Sequence, residues 1–134
     1  MPPFQFTAVE NALKQLESAV AQPPANDLER DGTIQRFEYC FELCWKTVRS
    51  LLLKAGRPDV SGSPRPLFRE ALQEGIIDDF KLWDSFLEAR NESTHTYHLK
   101  TAQEVHALAT QFPTQARDLI KRMKALAAKF DLDP

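Results

Sequence analysis

A chain of 134 residues has room for one core, and its formal net charge of −2 supplies no overall positive field to draw in nucleic acid. A dedicated duplex-DNA binder is therefore disfavoured, and any RNA contact must come from a local cluster of cations. Four glycines, no long alternation of apolar and polar residues, and many Ala, Leu, Glu, Gln and Lys residues predict an all-α fold, one domain over residues 1–134.

Met1-Pro2-Pro3-Phe4 shows no basic region followed by an apolar segment, and no stretch is apolar for long enough to cross a bilayer. A cytoplasmic protein with no membrane contact is expected.

Thr7-Ala8-Val9-Glu10 has the form of a capping box and predicts a helix to about Gln22, with Phe6, Val9, Leu13, Leu16 and Val20 along its buried face. Pro23-Pro24 ends it. A second helix is predicted from about Leu28 to Ala55, with Gly56 at the left-handed C-cap position. Ile34, Phe37, Phe41, Cys44, Val48, Leu51 and Ala55 keep a heptad spacing along it, as a helix packed lengthwise in a bundle requires.

Glu38, Glu42, Trp45 and Lys46 flank that seam. They form a solvated flank or, alternatively, a surface for a partner. Glu42 and Lys46 have the spacing of an intrahelical ion pair. No third carboxylate stands at metal-like spacing, and Cys40 and Cys44, one turn apart, lack further ligands, so no metal is expected. Both cysteines are expected to be reduced and packed.

Residues 57–62 form a loop, and Ser63-Pro64 predicts an N-cap and first turn for a short helix to about Glu74. Its apolar face is read as Leu67, Ala71 and Leu72, its polar face as Arg65 and Arg69, and Gly75 ends it. Asp78-Asp79 should cap a fourth helix that buries Phe80, Trp83, Phe86 and Leu87 and delivers Arg90. Thr101-Ala102-Gln103-Glu104 repeats the capping-box form ahead of a last helix toward Lys129, which Pro113 should kink or split. Leu108, Phe112, Leu119, Met123, Leu126 and Phe130 are its candidate core residues. Arg117, Lys121, Arg122, Lys124 and Lys129 make its second half basic, which suits the helix dipole and could help to hold a nucleic-acid backbone.

Arg90-Asn91-Glu92-Ser93-Thr94-His95-Thr96-Tyr97 is the stretch with the most chemistry. A guanidinium is permanently charged and forked to fit phosphate oxygens, and an imidazole exchanges a proton near neutral pH, so the pair suits phosphodiester chemistry with neither metal nor cofactor. The short polar side chains of Asn91, Ser93 and Thr94 compete for backbone hydrogen bonds and should turn the chain here. Residue types alone leave a structural alternative open, in which Arg90 caps its own helix and His95 and Tyr97 merely pack. His98 and His106 are read as surface residues.

Phe37-Glu38, Phe41-Glu42 and Trp45-Lys46, then Arg69-Glu70-Ala71, Gly75 and Trp83, and finally Arg90-Asn91 with His95-Thr96-Tyr97 together resemble the HEPN family. The resemblance is to its nucleotidyltransferase substrate-binding proteins, which include HepT-like toxins paired with a minimal nucleotidyltransferase antitoxin. It runs from about Phe6 to Phe130 and implies an up-and-down bundle of four to five helices that forms a homodimer, the Arg/His motifs of both copies sharing one cleft. It further implies metal-independent RNA cleavage, with Arg90 and His95 catalytic, Asn91 supporting, and Tyr97 the residue to which the partner enzyme adds AMP. Two other readings stand beside it. One is a non-catalytic adaptor that binds a nucleotide or substrate for the nucleotidyltransferase, and the other is a helical dimer with a chance motif.

Overall fold

The computed structural model describes residues 4–130. Met1, Pro2 and Pro3, where no leader pattern was read, lie outside the described residues. Five α-helices follow one another: α1 (Thr7–Val20), α2 (Asp27–Lys54), α3 (Pro64–Gln73), α4 (Phe80–Glu92) and α5 (Leu99–Lys129), with a 3-10 turn (Ser93–His95) between the last two. There is no strand among the described residues.

Helix α2 is the spine: α1, α3, α4 and α5 all pack on it. The heptad seam accounts for this, because Ile34, Phe37, Phe41, Cys44, Val48 and Leu51 are buried along its length. Its ends are set locally. The Asn26 side chain accepts from the Glu29 backbone N–H at 2.9 Å, and Gly56 takes φ 94° just past the C-cap. Gly32 is passed without a break.

The core centres on Phe112 of α5. Its ring lies 4.9 Å from Phe86, 5.2 Å from Phe37, 5.4 Å from Trp83 and 6.0 Å from Phe41, centroid to centroid, so one side chain ties α2, α4 and α5 together. Phe68 of α3 closes the set at 5.4 Å from Trp83. Edge-to-face and tilted pairs of this kind add to the burial of each ring, itself worth about 1.5–3 kcal/mol. Cys40 and Cys44 are free and buried as expected. A hydrogen bond with Cys40, and then burial, push the Cys44 thiol well above its ordinary range, so it stays protonated.

Several expectations need correction. Neither capping box forms. Thr7 is already the first helical residue, behind Phe6, because Phe4 and Phe6 are held in the core and start the helix there. Helix α5 starts at Leu99 rather than at Thr101, since the preceding 3-10 turn hands its hydrogen bonding on, His98 N–H to the His95 carbonyl at 3.1 Å. Ser63 occupies an N-cap position, yet its side chain does not cap. In α3 it is Phe68, with Leu67 and Ala71, that is buried, while Leu72 faces out.

Pro113 does not split α5; the helix is continuous through it. The proline lies on the buried face with Ala109, Phe112 and Ala116, where packing on both sides of it offsets the lost backbone bond, a cost of about 3 kcal/mol. Leu108 and Leu126 are only partly buried and Phe130 is exposed, so Ala102, Val105, Ala109, Ala116 and Ala127 carry more of this seam than the larger residues suggested. His106 is half-buried rather than a surface residue, and burial together with the Arg30 charge lowers its pKa below the ordinary 6.5.

Candidate active site at the junction of α4 and α5

Asp79 opens α4 by accepting from the Leu82 N–H at 3.0 Å, and burial of Trp83, Phe86, Leu87 and Ala89 fixes the rotation of the helix. That rotation sets Arg90, in the last turn, on the flank that meets α2. The next residues form short-range bonds of the kind their side chains favour. Ser93 Oγ donates to the Arg90 carbonyl at 2.5 Å and Thr94 Oγ1 to the Asn91 carbonyl at 3.3 Å, which closes α4 and tightens the chain into the 3-10 turn. Ser93 is buried, whereas Asn91, His95, Tyr97 and His98 are exposed.

Two pairings stand out in the site. Arg90 Nε donates to Glu42 Oε1 across the α2/α4 contact at 2.8 Å, with the two side chains 33% and 28% exposed. The other carboxylate oxygen of Glu42 lies 3.7 Å from Lys46 Nζ, so a carboxylate sits between two cations. His95 Nδ1 and Tyr97 Oη are 3.2 Å apart, their rings edge to face with centroids separated by 5.9 Å, and the Tyr97 ring also meets His98 at 4.4 Å. Tyr97 is 75% exposed, so its hydroxyl is open to a reagent or an enzyme.

Residues read from the sequence as a flank or partner surface have unequal surroundings. Glu42 is bonded to Arg90 within the chain. Trp45 is half-buried against the core with its Nε1–H shielded and without a partner among the described residues. Lys46 is exposed, 5.8 Å over the Trp45 ring, and Glu38 is half-buried. Asn91 points no hydrogen bond at Arg90 or His95. Nothing in the residue pattern signals that Glu42 belongs with Arg90, since 48 residues separate them and Glu42 has a ready local partner in Lys46.

Chemically, the junction presents a guanidinium held at one nitrogen, an exposed imidazole five residues away at the same helix end, and an exposed phenol bonded to that imidazole. Residues 4–125 match the family described as nucleotidyltransferase substrate binding protein like. The chain belongs to that family. A Haemophilus influenzae protein named "Probable ribonuclease HepT" is 32% identical to this family member over 96 residues, 69% of this chain and 66% of the relative's own length. A solved Haemophilus influenzae structure, described as revealing the fold of a substrate binding domain of a nucleotidyltransferase, superposes with a TM-score of 0.79 at 28% identity and covers 89% of this chain and 98% of that one. A crystal structure from Thermus thermophilus does so with a TM-score of 0.80 at 25% identity, covering 87% of this chain and 98% of the other. No helix among the described residues is long and apolar enough to cross a membrane.

Proposed function

We propose that this protein is a HEPN-type ribonuclease of the cytoplasm, the toxin of a toxin–antitoxin pair whose partner is a minimal nucleotidyltransferase. The observation that carries the reading is that a partly exposed Arg90, anchored on Glu42, and an exposed, hydrogen-bonded His95–Tyr97 couple both lie at the same end of α4. The relative named as a probable ribonuclease adds support.

In this reading the RNA's own 2′-hydroxyl attacks the adjacent phosphorus. His95 takes the hydroxyl proton, the 5′-oxygen leaves and is protonated by the second copy's imidazole or by water, and a 2′,3′-cyclic phosphate remains. Arg90 bonds the equatorial oxygens as negative charge collects on the phosphorane. The proton balance is closed without a metal or cofactor. Two copies of the chain form a homodimer, so that one shared cleft holds both motifs, and Asn91 lines its edge. AMP added to Tyr97 by the partner would place a phosphate beside His95 and Arg90, where it pairs with the cations and obstructs the RNA.

The test is cleavage of single-stranded RNA and tRNA by the purified protein in the presence of a chelator. The parent is expected to cleave, and Arg90→Ala and His95→Ala to lose cleavage; equal cutting by both variants would show that other residues do the chemistry. Incubation with the nucleotidyltransferase and ATP should add AMP mass to a peptide containing Tyr97.

A second reading is favoured by the solved relative described as a substrate binding domain of a nucleotidyltransferase. Here the same cations hold a nucleotide or substrate for the partner enzyme without cutting RNA. Nucleotide binding with no RNA cleavage, under conditions where the dimer is intact, would establish it in place of the first.

A further inference from the structure

We infer that Glu42 is a positioning residue for Arg90, an anchor on α2 that holds the guanidinium with its two terminal nitrogens turned to the substrate; the inference rests on the ribonuclease reading. A guanidinium has donors on three nitrogens in one plane. Glu42 Oε1 takes the Nε–H at 2.8 Å, and Nη1 and Nη2 make no hydrogen bond among the described residues. Those two nitrogens are the ones that bond two oxygens of one phosphate in parallel. Anchoring at Nε removes the rotation that would otherwise carry the fork away, while leaving the fork itself free.

The anchor is rigid for a reason outside the motif. Glu42 follows Phe41 on the spine, and Arg90 follows Ala89 on α4; both predecessors are buried, so two packed helices set the distance between the anchor and the fork. A carboxylate so close would by itself repel a phosphate. Lys46, 3.7 Å from the other carboxylate oxygen, counters this, and the Lys46–Glu42–Arg90 row keeps one net positive charge. No local side chain supplies such an anchor for the guanidinium: Ser93 bonds the backbone carbonyl of Arg90, Thr94 that of Asn91, and Asn91 is exposed.

Two variants separate orientation from charge and from folding. Glu42→Gln keeps an oxygen to accept from Nε and removes the negative charge, so RNA cleavage should stay within a few-fold of the parent. Glu42→Ala releases the guanidinium and should lower kcat on the order of 10–100-fold with KM changed far less, since misplacing a group that acts in the transition state costs about that much. Circular dichroism melts of each variant show whether it is folded at the assay temperature. A second readout does not depend on cleavage: the NMR signal of the Arg90 Nε–H should exchange slowly with water in the parent and in Glu42→Gln, and quickly in Glu42→Ala. A folded Glu42→Ala that cleaves at the parental rate overturns the inference. So does an Arg90 Nε–H that exchanges as fast in the parent as in Glu42→Ala. If the parent cuts no RNA, the ribonuclease reading fails, and the exchange rates alone then decide whether Glu42 anchors Arg90.

Discussion

The ring cluster around Phe112 and the junction from Arg90 to Leu99 differ in burial and in the reach of their contacts, although Phe86 and Arg90 are four residues apart on α4. In the cluster every side chain is buried, the contacts run between helices far apart in sequence, and the surfaces that meet are almost wholly apolar. At the junction the side chains are mostly exposed, and the hydrogen bonds span two or three residues, with Arg90 to Glu42 the long-range exception. Stability therefore resides in one region, while the other is left free to meet a ligand. Exposed polar groups contribute little to folding, and a chemical site needs groups that water and substrate can reach.

That contrast can be broken most directly from its buried side. Phe112→Ala removes a ring that touches four others and should cost about 3–5 kcal/mol in urea unfolding. A loss under about 1 kcal/mol would mean that the cluster relaxes around the gap, and that the bundle is less tightly keyed than its ring distances imply. His95→Ala tests the other pole. Its unfolding free energy should stay within about 0.5 kcal/mol of the parent, as for other exposed positions. Under the ribonuclease reading its RNA cleavage should nonetheless fall by about 10²–10⁴-fold, the usual contribution of a proton-transfer residue. A large drop in stability instead would make His95 a packing residue.

Smaller effects sharpen the boundary between the two regions. Gly75 ends α3 at φ 76° with open space around its Cα, so Gly75→Ala should cost about 1–2 kcal/mol through the backbone alone. Asp79→Ala removes the cap that begins α4 and should cost about 1 kcal/mol. If it also impairs cleavage while the protein is folded, the start of α4 helps to aim Arg90 at its far end.

The smallest expected effect concerns His106. Burial first, and then the charge of Arg30, lower its folded pKa below the ordinary 6.5. Its neutral form thus supports the fold in full above the unfolded pKa, and that support is lost as the pH falls through the lower folded value. His106→Gln should flatten the decline in stability between neutral and acidic pH. Denaturation at about pH 7 and about pH 5, either side of the ordinary imidazole range, checks this, and an unchanged slope would mean that His106 titrates alike in the folded and unfolded chain.

Some of this fold was legible in the residues because it depends on period and local chemistry. The α2 seam follows from spacing, Gly56 and Gly75 from their unhindered backbone, and the α4 start from Asp79. The Arg90, His95 and Tyr97 pattern was likewise visible, since all three lie within eight residues at a helix end. Other features escaped because a competing contact prevailed over a local signal. Thr7 and Thr101 had the right neighbours for capping boxes, but the buried Phe6 and the 3-10 turn started their helices earlier. Pro113 had the wrong residue type for a helix interior, yet its burial held α5 together. Phe68 took the place in the core expected of Leu72 because its ring meets Phe41 of α2 and Trp83 of α4, contacts that only the packing of three helices creates.

By itself the sequence determined that the chain is helical, where most helices begin and end, and that a cation, an imidazole and a phenol follow one another at the end of α4, because each depends on residues within a turn or two of one another. Only the tertiary structure decided which side chains fill the centre and that Glu42 meets Arg90. A contact between residues 48 apart has no local signature, and it exists only once two helices have been set against each other by the rings between them.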